Sequence, residues 1–103
     1  YVKIGFAAKT WSFYDDDFEW VKSNTNKNSI FLTGSQCISY NIERQTLSPY
    51  TNNLEKADYV WINQNFKLDR LAILDKNIVE RTKKEGIEVY KNKKTGTEVY
   101  KIS

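Results

Sequence analysis

Hydrophobic residues in the first quarter of the chain recur with the spacing of a helix. The i, i+4, i+7 spacing predicts an amphipathic helix over residues 14 to 24. Its apolar face is formed by Tyr14, Phe18 and Val21. The carboxylates of Asp15, Asp16 and Asp17 open this helix and complement the positive end of its dipole. The Asn-rich stretch over residues 23 to 29 then ends the helix and turns the chain.

Two apolar runs in the middle of the chain predict central strands. The first covers residues 30 to 32 and the second residues 57 to 63, which are rich in β-branched and aromatic side chains. Residues 36 to 43 fit both a period of two and an i, i+4 spacing, and we favour a short helix there. We expect a brief strand over residues 45 to 48 and a loop over residues 50 to 53.

Two further segments have recognisable periods. Residues 2 to 8 alternate between apolar and other side chains, which predicts a short half-buried strand or an ordered lead-in at the start of the chain. Apolar residues over 68 to 85 are spaced for one face of a helix, with Asp75 as a position at which the helix could be divided. Basic residues in its last turns and Gly86 directly after it are typical of a helix end.

The end of the chain predicts a β-hairpin. Alternating residues 87 to 91 and 97 to 102 are joined by a five-residue loop that ends in Gly96. Helices interspersed with apolar strands imply parallel pairing through crossovers. We therefore expect an α/β fold: a Rossmann-like mixed sheet, mostly parallel, with a C-terminal antiparallel hairpin and helices packed on the sheet. The 103 residues correspond to a single domain, residues 1 to 103.

Composition excludes several kinds of chemistry. The chain has no His and a single Cys, which removes Ser-His and Cys-His nucleophile systems and the usual zinc ligand sets. We therefore assign no catalytic residue, no metal site and no cofactor. A formal net charge of +3 is too small a surplus for a domain that binds nucleic acid through phosphates, so we expect no nucleic-acid partner.

The loops that follow the two central strands are the candidate ligand site. Thr33, Gly34 and Ser35 follow the first strand and Asn63 follows the second. In α/β sheets ligands bind at the carboxyl ends of strands, where small residues let backbone N–H groups approach an anion. One glycine is weak support, and a plain turn from strand to helix is the favoured alternative for residues 33 to 35.

Other features have both a structural and a functional interpretation. Clustered carboxylates at Asp15 to Asp17 could hold Mg²⁺, but neighbouring helix positions point in different directions, so we favour a helix start. We interpret Cys37 as a buried apolar residue. We interpret the tryptophans as core or sheet-facing anchors in preference to a sugar-stacking platform, namely Trp11, Trp20 and Trp61. For the lysines of the last quarter we favour solvated charges that protect a sheet edge over a nucleic-acid surface. Attraction of these lysines to anionic lipid headgroups stays open for a domain near a membrane.

Several segments in this order resemble a known family. They are Asp17 to Thr25, Ser29 to Thr33, Tyr40 with Arg44, Ala57 to Ile62, and Gly96 to Ile102. The phrase E-W-x-K-x-N-T before a strand and the closing E-V-Y-K-I are similar to the soluble C-terminal domain of polytopic membrane glycosyltransferases that use lipid-linked sugars. These are the dolichyl-phosphate-mannose protein mannosyltransferase-like members of the GT-C superfamily.

The resemblance implies an expected function for the chain. A many-spanning membrane region would precede it, in agreement with a chain that starts at Tyr1 and has no Met. The domain would lie on the extracytoplasmic side of the cell membrane, with the membrane-embedded portion of the same chain and a glycan or protein acceptor as partners. Catalysis in the family is attributed to a loop between early membrane helices, so the resemblance implies a non-catalytic accessory role here.

Two other functions stay open at this point. The first is a small-ligand or protein-binding α/β module of a soluble protein, which would use the loops after Leu32 and Ile62. The second is an enzyme fragment that uses Asp15 to Asp17 with Mg²⁺.

Overall fold

The structure, a computed structural model, describes residues 12–33, 36–48, 51–64 and 74–102, without the side chains of residues 12, 36, 37, 51 and 52. The elements in chain order are α1 (Asp15–Asn24), β1 (Ile30–Leu32), α2 (Gln36–Ile42), β2 (Gln45–Leu47), β3 (Tyr59–Ile62), α3 (Lys76–Glu85), β4 (Ile87–Asn92) and β5 (Thr97–Lys101). Two 3-10 helices, Ser12–Tyr14 and Thr51–Lys56, precede α1 and β3.

The five strands form one mixed sheet in the order β2-β1-β3-β5-β4. β1 pairs in parallel with β2 and β3, whereas β5 pairs antiparallel with both β3 and β4. The α/β class and the antiparallel hairpin are therefore confirmed. The expectation of a mostly parallel sheet is wrong, because the inner strand of the hairpin docks on β3 and makes half of the described pairings antiparallel.

Helices cover one face of the sheet through a cluster built largely from α1 and α2. Phe18 of α1 stacks on Trp61 of β3 with ring centroids 5.5 Å apart. The buried members of this cluster are Tyr14, Phe18, Val21, Phe31, Ile38, Ile42, Trp61 and Val99. The i, i+4, i+7 side chains of the predicted helix thus form its buried face, which stabilises α1 by removing apolar surface from water.

α3 and the second 3-10 helix cover the opposite face of the sheet. Alternate residues of β3 and β5 point to this side because successive strand side chains face opposite ways. The buried members are Leu32, Leu54, Ala57, Val60, Ile62, Leu74, Ile78 and Tyr100. Helical layers on both faces agree with the prediction that helices pack on the sheet.

Most of the local predictions are confirmed. The helix over residues 14 to 24 corresponds to α1, the apolar runs correspond to β1 and β3, and the short helix and brief strand correspond to α2 and β2. The hairpin is present, and its loop ends at Gly96 with φ 83°, a conformation that favours glycine. The strand predicted over residues 2 to 8 lies outside the described residues.

Two local predictions are wrong in part. Residues 51 to 53 belong to a 3-10 helix and not to an irregular loop. The helix predicted over residues 68 to 85 is not continuous, because α3 begins only after Asp75, whose Oδ1 accepts a hydrogen bond from the backbone N–H of Asn77 at 2.7 Å. Asp75 is therefore an N-cap that starts a helix. Residues 65 to 73 lie outside the described residues.

The C-terminal end of α1 is held by a buried arginine from the turn after α2. The Arg44 guanidinium donates hydrogen bonds to the carbonyl oxygens of Lys22 at 3.2 Å and Thr25 at 3.1 Å, and to Thr25 Oγ1 at 3.2 Å. Helix ends leave carbonyls without partners, and a cation there also complements the negative end of the dipole. Arg44 therefore joins α1 to the segment that enters β2.

None of the helices in the described part of the chain has the length and hydrophobicity needed to cross a membrane.

Candidate functional site

The predicted ligand residues lie at the carboxyl ends of two neighbouring strands. Thr33 follows β1 and Asn63 follows β3, and these strands pair in parallel. Both side chains are buried, and Thr33 Oγ1 has no hydrogen-bond partner among the described residues. Gly34 and Ser35 lie outside the described residues. The proximity of the two strand ends agrees with the sequence analysis, and ligand binding at this edge stays a prediction.

The carboxamide of Asn63 is engaged within the protein. Its Nδ2 donates to the carbonyl oxygen of Thr95 at 3.0 Å and to Thr97 Oγ1 at 2.8 Å. Both acceptors belong to the C-terminal hairpin, so Asn63 links the end of β3 to the start of β5. These bonds satisfy the buried nitrogen and stabilise the docking of the hairpin.

A buried carboxylate lies at the centre of a polar network that continues from Asn63. Asp17 of α1 is fully buried, and its Oδ2 accepts a hydrogen bond from Thr97 Oγ1 at 2.8 Å. Its Oδ1 accepts from the Tyr90 hydroxyl at 2.5 Å and from Asn92 Nδ2 at 2.8 Å. One carboxylate therefore contacts three residues of β4 and β5.

The electrostatic stabilisation of Asp17 comes from dipoles. All three side-chain donors are uncharged, and the carboxylate lies in the first turn of α1, next to the positive end of the helix. Hydrogen bonds to a charged acceptor are shorter and stronger than neutral ones, which offsets the cost of burying the charge. Both oxygens of this carboxylate accept hydrogen bonds from the hairpin, so the network holds α1 and the C-terminal hairpin together.

The other two members of the acidic run lie away from this network. Asp15 and Asp16 are exposed while Asp17 is buried, as expected for consecutive helix positions. In the described part of the chain, no group of three or more His, Cys, Asp or Glu side chains is placed to hold a metal ion. The placement agrees with the helix-start interpretation of the run.

Two tyrosines of the hairpin have shifted acidities. Burial, followed by the hydrogen bond to Asp17, raises the pKa of Tyr90 from 10.0 to about 12. Burial likewise raises the pKa of Tyr100, whose hydroxyl lies 2.8 Å from Glu98 Oε1 and 3.1 Å from Glu88 Oε2. In both cases deprotonation would place a phenolate beside a carboxylate and partly away from water. Both effects disfavour the charged form and therefore raise the pKa.

A second candidate site is an open groove at the amino ends of β1 and β3. It has a volume of about 330 Å³ and is lined by Asn26, Asn28, Ser29, Asp58 and Tyr59. This edge is opposite to the one at which the sequence analysis placed a ligand. The groove, in contrast to the Asp17 network, is open to solvent and carries polar side chains.

Sequence reasoning missed the role of Asp17, although the sequence contains a signal for it. Asp17 is three residues after Tyr14 and four before Val21, so it occupies a core position of the helical period. Thr97 likewise occupies a core position, because it lies two residues before the buried Val99 and therefore on the same face of the strand. A polar side chain at a position that the period assigns to the core indicates a buried hydrogen-bond network.

The remaining candidates agree with their structural interpretations where they are described. Trp61 is buried in the sheet, and Trp20 packs on Tyr90 with ring centroids 4.8 Å apart. The lysines of the last quarter are exposed, namely Lys83, Lys84, Lys91, Lys93, Lys94 and Lys101. The side chain of Cys37 and residue Trp11 lie outside the described part of the chain.

Comparison of this chain with protein-family models, with curated proteins and with solved structures found no match.

Proposed function

We propose that this chain is a non-catalytic accessory domain of a membrane glycosyltransferase that transfers sugar from a lipid-linked donor. In this proposal the domain lies on the extracytoplasmic side of the cell membrane and packs against the membrane-embedded portion of the same protein. The domain positions a glycan or protein acceptor or stabilises the transferase. The reaction itself takes place in the membrane-embedded portion.

The state of Asp17 is the observation that carries the non-catalytic part of the proposal. It belongs to the most enzyme-like feature of the sequence, and its two oxygens accept hydrogen bonds from Tyr90, Asn92 and Thr97. A general acid or a metal ligand must reach a substrate or an ion, whereas this carboxylate is fully buried. The membrane context is supported by the resemblance of the helix, strand and hairpin segments to the glycosyltransferase domains.

The reading frame upstream of Tyr1 tests the membrane context. The proposal requires several hydrophobic spans of about 20 residues each before this chain. An upstream region that encodes a soluble domain would overturn it. If the spans are present, deletion of residues 12 to 102 from the full-length protein should lower sugar transfer, while the acidic residues of the membrane portion remain essential.

Calorimetric titration of the chain with Mg²⁺ tests the non-catalytic part. We expect no heat of binding beyond dilution, because Asp15, Asp16 and Asp17 do not converge. Saturable binding that Asp15→Asn or Asp16→Asn abolishes would favour the enzyme alternative. The same titration of Asp75→Asn, which replaces the exposed N-cap carboxylate just before α3 by another capping side chain, is the matched control.

The second candidate function is a small-ligand-binding module of a soluble protein. In this candidate the Rossmann-like part of the fold is the parallel half of the sheet, formed by β2, β1 and β3. The open groove at the amino ends of β1 and β3 favours it, because pockets of this size are typical of small-molecule sites. A soluble neighbour in the upstream reading frame, together with a ligand that binds the 103-residue chain, would favour this candidate over the membrane domain.

A further inference from the structure

The first strand of the C-terminal hairpin forms an open edge of the sheet. β4 is the last strand in the order β2-β1-β3-β5-β4, and within the described part of the chain no strand pairs with its outer side. β4 has six residues, whereas β2 at the other edge has three. The backbone N–H and C=O groups along such an edge are the groups to which a further strand binds.

Two apolar side chains of this edge strand lie in solvent. Ile87 is 69% exposed and Val89 is 37% exposed. Both belong to the small set of large hydrophobic side chains that are exposed in the described part of the chain. Exposed apolar side chains on an unpaired strand indicate a surface at which another strand can bind.

A β-bulge places two opposite charges on one face of β4. In the hairpin Glu88 lies opposite Tyr100, and Lys91 lies opposite Glu98. Because Tyr100 and Glu98 are two residues apart, they share one face of β5. Their partners Glu88 and Lys91 therefore share one face of β4. A regular strand would turn positions 88 and 91 to opposite faces, and the irregularity between Glu88 and Tyr90 brings them to the same side.

Both charges of this pair are accessible to a neighbouring strand. Lys91 is exposed, and it forms no ion pair with a carboxylate of the described residues although Glu98 lies opposite it. The Glu98 carboxylate instead accepts a hydrogen bond from the Tyr100 hydroxyl at 2.8 Å. Glu88 is also exposed, and its Oε2 lies 3.1 Å from the same hydroxyl. The edge therefore carries one carboxylate and one ammonium group, three positions apart, on one face.

We propose that β4 pairs antiparallel with β4 of a second copy of this chain, about a two-fold axis between Val89 and Tyr90. This register places Glu88 of each copy opposite Lys91 of the other, and cross-strand pairs of opposite charge stabilise a sheet. It also places Lys93 of each copy opposite Gly86 of the other, which carries no charge. The edge is thus complementary to itself, as an interface with two-fold symmetry requires.

Charge disfavours the neighbouring registers. A two-fold axis through Glu88 sets two carboxylates opposite each other, and an axis through Lys91 does the same for two ammonium groups. Lysines on an edge strand also discourage pairing with unrelated strands. Lys91 therefore protects the edge against other chains and admits the one register in which it meets Glu88.

The dimer is weak and does not depend on the proposed function. One pair of strands buries less area than a standard interface, so we expect a dissociation constant on the order of 0.1 to 1 mM. The inference does not require a membrane region, and the upstream reading frame can overturn the proposed function without affecting it.

Sedimentation equilibrium of the 103-residue chain, up to about 2 mM, tests the inference. We expect a monomer–dimer equilibrium in the wild type. Glu88→Lys and Lys91→Glu should each weaken the dimer about tenfold, because both cross-strand pairs then have like charges. An equimolar mixture of these two variants should associate as tightly as the wild type, since each pair again joins opposite charges. The control is Glu80→Lys, the same change of charge at an exposed position of α3, which should dimerise like the wild type.

Three results would overturn the inference. A wild-type chain that stays monomeric over the whole concentration range would show that β4 does not pair with itself. Equal dimerisation of Glu88→Lys and the wild type would place the contact elsewhere on the molecule. A mixture of Glu88→Lys and Lys91→Glu that fails to recover association would exclude the register proposed. Tyr100 keeps Glu98 as its acceptor in Glu88→Lys, so this variant is expected to fold.

Discussion

The carboxylate of Asp17 accepts a hydrogen bond from Thr97 Oγ1 at 2.8 Å across a separation of 80 residues in the sequence. Thr97 in turn accepts from Asn63 Nδ2 at 2.8 Å, so α1, β5 and the end of β3 share one chain of hydrogen bonds. Donors and acceptors in such a chain polarise one another, which strengthens each bond in a medium of low dielectric constant. The C-terminal hairpin is therefore held to the rest of the protein by polar as well as apolar contacts.

Replacement of the buried carboxylate should reveal the strength of this connection. Asp17→Ala leaves Tyr90, Asn92 and Thr97 without their acceptor, and we expect it to lower the free energy of unfolding by about 3 kcal/mol. Urea denaturation monitored by circular dichroism measures the change. The control is Asp16→Ala, an exposed neighbour in the same helical turn, which should cost at most about 1 kcal/mol. Equal losses for the two variants would contradict a central role for the network.

The raised pKa of Tyr90 makes stability depend on alkaline pH. The phenol has a pKa of 10.0 in an unperturbed chain and about 12 in the folded one, so unfolding releases a proton between these values. The stabilisation is fully present below pH 10 and is lost as the pH rises through about 12. Tyr90→Phe should therefore be less stable than the wild type at neutral pH, and this deficit should shrink above pH 10.

Urea denaturation at a series of pH values measures the effect of Tyr90→Phe. Tyr40→Phe serves as the control, because Tyr40 is 49% exposed and lies outside the network. This control should follow the wild-type pH dependence. A deficit of Tyr90→Phe that stays constant between neutral pH and pH 12 would show that folding does not raise the pKa of the Tyr90 hydroxyl through burial and its hydrogen bond to Asp17.

Arg44 is expected to contribute to stability through geometry as well as charge. Arg44→Met removes the hydrogen bonds to the carbonyls of Lys22 and Thr25 and should cost about 2 to 3 kcal/mol in thermal or urea unfolding. Arg44→Lys should recover only a small part of this loss, because an ammonium group cannot reproduce the planar fork of donors. Full recovery by lysine would mean that charge alone is sufficient.

Arg81→Met is the matched control for the arginine variants. Arg81 forms ion pairs with Glu85 at 2.7 Å and Glu55 at 3.4 Å on the surface of α3. Such exposed pairs contribute about 0 to 1 kcal/mol, so the loss should be smaller than that of Arg44→Met.

Gly86 is required for close packing at the end of α3. A Cβ at this position would lie 2.8 Å from the Thr82 carbonyl oxygen and 2.9 Å from Ile102 Cδ1. We expect Gly86→Ala to cost about 1 to 3 kcal/mol, since the backbone oxygen cannot move without breaking the helix end. Lys84→Ala, an exposed change in the same turn, should stay within about 0.5 kcal/mol of the wild type in the same urea experiment. A Gly86→Ala variant as stable as the wild type would show that the end of α3 and Ile102 can move apart to accommodate the added methyl group.

Local pattern was sufficient to predict most of the elements. The positions of β1, β3 and α1 follow from apolar period, and the hairpin follows from alternation around a loop that ends in Gly96. The role of Asp75 as an N-cap was less visible, because an Asp within an apolar helical period fits both a continuous and a divided helix. The groove was missed because its walls, the turn after α1 and Asp58, are separate in sequence and are polar like any loop.

The sequence by itself determined where most of the described helices and strands form and which apolar side chains of α1 face the core, since both depend on periods of 3.6 and 2 residues. Only the tertiary structure decided that β5 lies between β3 and β4, which makes the sheet half antiparallel. It also decided that the Asp17 carboxylate is hydrogen-bonded to the C-terminal hairpin, and that Asp58 and Asn28 line an open groove. The physical reason is that strand order and hydrogen-bond partners depend on contacts between segments tens of residues apart, which a local pattern does not encode.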